Sequence, residues 1–217
     1  MQAALRYPTL VDAVVPRVRD RHAALARDAL LVAAGTGLVS ACAQVTIPWH
    51  PVPLTGQTFA VLLVGGLLGA VRATSALALY WVVAALGAPV LADGRGGWDG
   101  ITSPSGGYII GFILAAAAVG YLSERGLDRR VIPMMGALLL GEVLIYAVGL
   151  PWLAASTVVP GEGAFGWANA YKFGLEPFIL GDLVKLAAVA GLLPAGWALV
   201  GRIGLRGRDE GPRPGIA

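Results

Sequence analysis

Apolar residues in this chain come in long unbroken runs, and the polar residues are gathered between the runs, unlike the striped or alternating pattern of a soluble fold. Runs of this length predict six membrane-spanning helices, at about 28–47, 54–68, 73–91, 106–122, 131–150 and 177–200. Pro48, Pro51 and Pro53 stop the first, because proline cannot continue a helix. The second is short for a span and needs tilt or its flanking residues to cross. A tight turn at 69–72 leads to the third. A glycine-rich loop at 92–105 follows, with the run Asp93-Gly94-Arg95-Gly96-Gly97-Trp98-Asp99-Gly100. The polar link 123–130 separates the fourth and fifth runs, and a loop with Pro151 and Pro160 reaches the sixth.

This pattern divides the chain into a cytoplasmic N-terminal segment at 1–28, a six-helix membrane domain at 29–201 and an Arg- and Gly-rich cytoplasmic tail at 202–217. Leu25, Ala26, Ala29 and Leu30 are spaced as an amphipathic lead-in along the membrane surface. The tail has the composition of a disordered segment. The start of the chain lacks the compact apolar run of a cleaved signal peptide.

Composition agrees with the spans. Of 217 residues, 57% are hydrophobic and 13% charged, whereas soluble domains average about 45–50% and about 25%. The net charge of +3 would suit a nucleic-acid binder, but the position of the cations argues otherwise. With the N-terminus inside, thirteen Lys and Arg fall in the inner segments and only Arg95 and Lys172 in the outer loops. By the positive-inside rule both termini are cytoplasmic. The expected protein is therefore an all-α, multi-pass protein of the cell membrane, surrounded by lipid, with no nucleic-acid partner. One cysteine, Cys42, and two histidines, His22 and His50, leave no disulfide, Cys-based cluster or H-E-x-x-H pair. No metal or cofactor is expected.

Ionisable groups inside a span are costly and mark candidate function. Here they are Glu142, Asp182 and Lys185. Asp182 and Lys185 lie three residues apart on one helix face. They either neutralise each other or offer an acceptor and a donor to a polar solute. No role is evident for Glu142. Arg95, flanked by glycine on both sides, is either a solvated loop residue or a lid cation able to grip a carboxylate by paired hydrogen bonds. Ala29, Ala33, Gly37 and Ala41 recur every four residues on one face of the first span, which suits either internal packing or docking of another membrane subunit. Trp49, Trp98, Trp152 and Trp167 read as interface anchors. Tyr80, Trp81, Tyr108 and Tyr146 are better placed to line a cavity.

Four segments together resemble the BioY family, the biotin-specific substrate-binding S components of energy-coupling factor (ECF) transporters. They are Pro51-Val52-Pro53-Leu54-Thr55-Gly56-Gln57-Thr58, Gly94-Arg95-Gly96-Gly97, Ser103-Pro104-Ser105-Gly106-Gly107-Tyr108 and Gly181-Asp182-Leu183-Val184-Lys185-Leu186. The resemblance spans about residues 30–200, in order. It implies a six-helix protein that binds biotin from the outer side and works with a coupling transmembrane protein and two ATPase subunits. By position, Asp182 and Lys185 match the family's charged pair on the last helix, and Arg95 its basic loop residue. The face at Ala29, Ala33, Gly37 and Ala41 matches the docking place on the coupling protein. Tyr80 is a further candidate against the ureido ring.

Biotin suits these residues. Asp182 can accept from a ureido N–H, Lys185 can donate to the ureido carbonyl, and Arg95 can hold the valerate carboxylate; the reversed ligand, with Lys185 on the carboxylate, stays open. No ATP-binding motif occurs, so energy must come from partners or, in the alternative reading, from a proton gradient acting on a solitary biotin carrier through Asp182 or Glu142. An enzyme is not expected: no Ser lies in the fifth or sixth span and no G-x-S-x-G elbow occurs.

Overall fold

A computed structural model describes residues 8–15 and 20–209, with side chains through residue 203. The chain forms the helices α1 (Leu10–Val14), α2 (Arg21–Ala43), α3 (Gln57–Leu68), α4 (Ala70–Ala85), α5 (Gly97–Ile101), α6 (Gly106–Glu124), α7 (Val131–Ala155), α8 (Trp167–Gly174) and α9 (Ile179–Asp209). Two short strands, β1 (Thr46–Ile47) and β2 (Leu54–Thr55), pair antiparallel, Thr46 with Thr55 and Ile47 with Leu54. Four helices, α2, α6, α7 and α9, are long and apolar enough to cross a membrane, while α3 and α4 are shorter apolar helices. At about 1.5 Å per residue α3 is about 18 Å long, short of a bilayer core of about 30 Å.

Several boundaries differ from the hydropathy reading. Asp20 caps α2 by accepting from the Ala23 amide at 2.8 Å, so the helix starts seven residues before position 28. The expected surface lead-in is thus the first turns of α2 itself. Leu54 and Thr55, apolar enough to count as span, pair as β2 instead. α4 ends at Ala85, and Gly87, with φ +99°, turns the chain out of the helical direction. α7 continues through Pro151 to Ala155. α9 runs on to Asp209, so 202–209 are helical rather than disordered. Arg6, Arg17, Arg19 and the rest of the tail lie outside the described residues.

The centre of the bundle is α6. In its apolar stretch 61% of residues are buried, against 17% in α2, so α2 is peripheral. Close packing of α6 depends on glycine: a Cβ on Gly111 would come within 2.8 Å of the Ile145 backbone on α7, and one on Gly120 within 2.5 Å of the Gly69–Ala70 backbone. Around α6 pack Val61 and Leu62 of α3, Leu77 of α4, Leu138 and Ile145 of α7 and Leu193 of α9, all buried.

At the end of the bundle where α1, the start of α2 and the α3–α4 turn meet, buried Asp12 organises an ionic cluster. Its Oδ1 accepts from Arg27 at 2.9 Å and Arg72 at 3.0 Å, and its Oδ2 from the Thr9 hydroxyl at 2.9 Å. Burial raises its pKa, but Arg27, Thr9 and Arg72 outweigh that and hold the carboxyl below its ordinary value. Nearby, Trp197 Nε1 of α9 donates to fully buried Asp128 at 2.6 Å. Burial pushes the Asp128 carboxyl up to about 6, against the opposing pull of Trp197 and Arg129.

Candidate functional site

At the other end of the bundle the walls separate. The β1–β2 ribbon contributes Val52, Pro53 and Thr55, α3 begins with Gln57 and Thr58, and the loop after α4 brings Leu91, Ala92 and Arg95. α6 adds Ser105, Tyr108, Ile109 and Phe112, α7 adds Ile145 and Tyr146, and Phe178 and Lys185 close the far side. Together they surround about 590 Å³ of empty space, the open mouth included. A mostly apolar lining with few polar groups suits a small organic molecule.

The aromatic wall is braced from behind. Tyr108 donates to the Gly174 carbonyl at 2.9 Å and meets Tyr146 edge to face, ring centres 6.0 Å apart. Trp152 Nε1 donates to the Ser103 carbonyl at 2.9 Å, holding the loop before α6. Unlike exposed Trp49, Trp98 and Trp167, it is thus fixed within the protein.

Charge enters at two places. Lys185 Nζ donates to Asp182 Oδ1 at 3.0 Å and to the Thr58 hydroxyl at 2.9 Å, and Thr58 in turn donates to Asp182 Oδ1 at 3.3 Å. Tyr146 donates to Asp182 Oδ2. The carboxylate is buried and accepts from three side chains, and Lys185 uses two of its three N–H donors in this way. Lys185, Thr58 and Tyr146 face the cavity; Asp182 stands behind them. Arg95 also lines the cavity and, among the described residues, has no carboxylate partner; its Nε donates to the Ala92 carbonyl at 3.3 Å. The pair Asp182–Lys185 is neutral as a whole, and Arg95 adds a separate positive charge to the lining.

Tyr80 is placed differently from the sequence expectation. It is fully buried and absent from the cavity lining, because α4 turns that face toward α3. Its hydroxyl accepts from Gln57 Nε2 at 2.8 Å and donates to the Val90 carbonyl at 3.0 Å, leaving nothing to offer a ligand directly. Gln57, held also by the Thr55 hydroxyl at 2.9 Å, is the residue that reaches the cavity. Trp81 does not line the cavity either. Gln57 and Thr58 stand out by neither charge nor spacing in the sequence; only the fold, by bringing α3 against α9, gives Thr58 a role.

Glu142 lies one turn from Tyr146 on α7. It is buried, and neither carboxyl oxygen has a hydrogen-bond partner. Ala29, Ala33, Gly37 and Ala41 all lie on the exposed side of α2, whereas Gly35, Thr36, Val39 and Ala43 face inward. Among the described residues, nothing covers this small-residue face.

Residues 14–202 match the BioY family. The chain belongs to this family. Among BioY relatives, a biotin transporter of Rhizobium etli is 36% identical over 177 residues, covering 77% of this chain and 90% of that protein. A probable biotin transporter of Pyrococcus horikoshii is 38% identical over 162 residues, covering 75% and 91%. The fold resembles a solved structure of the S-component for biotin from an ECF-type ABC transporter, with a TM-score of 0.69, 23% identity and coverage of 82% of this chain and 94% of that one. As a BioY protein the chain shares its fold with that S component, and the cavity described above lies within the family-matched region.

Proposed function

We propose that this chain binds biotin from the outer side of the cell membrane, as the substrate-specificity subunit of an ECF-type uptake transporter. It is a binding subunit, not an enzyme. Curated relatives of similar length are named biotin transporters, which supports the substrate. The observation that carries the reading is the composition of the cavity lining: Lys185 and Thr58 backed by buried Asp182, an apolar and aromatic wall, and Arg95, which among the described residues has no carboxylate partner. Biotin has a ureido ring with two N–H donors and one carbonyl, an apolar thioether ring and a carboxylate. Lys185 donates to the ureido carbonyl, Asp182 accepts from a ureido N–H as Tyr146 gives way, and Arg95 clamps the carboxylate. Tyr80 acts at second hand, by orienting Gln57.

In this reading all six apolar helices α2, α3, α4, α6, α7 and α9 cross the bilayer, with both termini cytoplasmic. The short α3 is completed by the β1–β2 ribbon at its outer end. The cytoplasmic N-terminal segment is 1–28, the membrane domain 29–201 and the cytoplasmic tail 202–217. The partners are a coupling transmembrane protein and two ATPase subunits. Ala29, Ala33, Gly37 and Ala41 form the docking face, supported by their exposure on the least buried of the long helices.

Equilibrium binding of labelled biotin to the purified protein in detergent tests this function. Wild type binds and Asp182→Asn fails to bind tightly; absence of binding by folded wild type overturns the reading. Arg95→Ala is expected to lose the preference for biotin over biotin methyl ester. A retained preference would move the carboxylate to Lys185.

A further inference from the structure

Arg95 stands on a loop of small residues, and such a loop does not hold a guanidinium in place without help. The help comes from the end of α2. Gln44, the residue that caps this helix, turns its side-chain amide onto the loop. Its Nε2 donates to the Leu91 carbonyl at 3.1 Å and to the Ser40 carbonyl of its own helix at 3.2 Å, and its Oε1 accepts from the Gly94 amide at 3.2 Å. The amide thus holds Leu91 and Gly94 on either side of the loop's sharpest bend, where Asp93 (φ +58°) and Gly94 (φ +65°) are both left-handed. Positive φ is uncommon for a residue other than glycine and needs support from its surroundings. Beyond the bend the Leu91 amide donates to the Arg95 carbonyl at 2.9 Å, and the Arg95 amide to the Ala92 carbonyl at 3.2 Å. Two of these bonds involve the backbone of Arg95 itself and one that of its neighbour Gly94, while the Leu91 carbonyl ties the start of the bend to the same amide.

We propose that Gln44 is a positioning residue for Arg95: its side-chain amide fixes the 91–95 bend from the end of α2 and so sets the guanidinium at the cavity mouth. The residue lies outside the cavity lining and touches no ligand. The proposal rests on the function proposed above for what Arg95 does, but the structural half of it stands alone. A side-chain amide is the one group of this size that both donates to Leu91 and accepts from Gly94; a methionine of similar length does neither.

The test is Gln44→Met, compared with wild type, Arg95→Ala and the double variant. In the ligand-free protein, hydrogen exchange at 91–95 accelerates while α2 and α6 exchange as before. For binding, Gln44→Met weakens biotin about three- to tenfold, as loss of two partly exposed hydrogen bonds implies, and leaves biotin methyl ester within about twofold. In the Arg95→Ala background Gln44→Met adds nothing to the loss, because there is no guanidinium left to place. Unchanged exchange at 91–95 overturns the proposal whatever the ligand. Equal weakening of acid and ester, or losses that multiply in the double variant, shows that Gln44 acts on the fold and not through Arg95. Failure of Arg95→Ala alone to alter the acid–ester preference rejects the carboxylate clamp instead, and leaves the exchange result to decide what Gln44 holds.

Discussion

Two buried carboxylates organise the two ends of this bundle, and each accepts from side-chain donors on several elements. Asp12 accepts from Arg27, Arg72 and Thr9; Asp182 accepts from Lys185, Thr58 and Tyr146. The difference lies in what stands beside them. Around Asp12 two guanidiniums and a hydroxyl close the space and tie α1, α2 and the α3–α4 turn together. Around Asp182 the donors Lys185, Thr58 and Tyr146 also line a cavity, so each has one face toward a solute. An ion pair marks a binding site when its partners border a void. Without one it is a clasp.

The largest effect that would break this comparison comes from Lys185. Lys185→Met leaves Asp182 buried without its cation, and biotin affinity is expected to fall by about 3 kcal/mol, roughly a hundredfold. Near-normal affinity in a calorimetric titration would make Asp182–Lys185 a clasp as well. Asp12→Ala is expected to do the opposite, costing about 2 kcal/mol of stability, less than a fully buried pair because both guanidiniums are partly exposed, with biotin affinity of the folded protein unchanged. Denaturation of the detergent-solubilised protein reads the first and titration the second. The Asp12 contribution is present above the ordinary carboxylate range and lost as pH falls through the lowered pKa, since protonation removes the charge that both arginines face.

A smaller effect sharpens the contrast within the clasp end. Asp128 has its carboxyl raised to about 6 from an ordinary 3.8, so the folded protein holds this proton more tightly than the unfolded chain. Its contribution to stability is therefore greatest at low pH and declines as pH rises through about 6, opposite in sign to Asp12. Asp128→Asn keeps an acceptor for Trp197 and removes this slope. Melting temperatures across pH 4–8 should be flatter in the variant by a few degrees; an unchanged slope would assign it to another group.

The helices were legible because hydropathy over twenty residues outweighs local detail. What hydropathy missed lies where a shorter-range force decides: the cap at Asp20 that lengthens α2, and the strand pairing that takes Leu54 and Thr55 from α3. Among the proposed site residues, Asp182, Lys185 and Arg95 are visible in the sequence because charge among apolar residues or glycines stands out. Thr58 and Gln44 are not, since a hydroxyl or an amide gains its role from a neighbour far along the chain. Tyr80 was placed toward the ligand on residue type alone; its direction depends on the rotation of α4, which no local pattern encodes.

The Lys185–Thr58 bond joins residues 127 apart, and this separation bears on how the protein enters its membrane. At about 5–20 residues per second of synthesis, Thr58 waits on the order of ten seconds for its partner. During its own insertion α9 carries two charges in its first two turns, where each costs less than at the centre of a span but is still unfavourable before that partner is engaged. Asp182 and Lys185, three residues apart on the same helix, meet this need by neutralising each other in transit. On the function proposed above, the pair beside the ligand also eases delivery of the last helix, so biogenesis and recognition favour the same spacing.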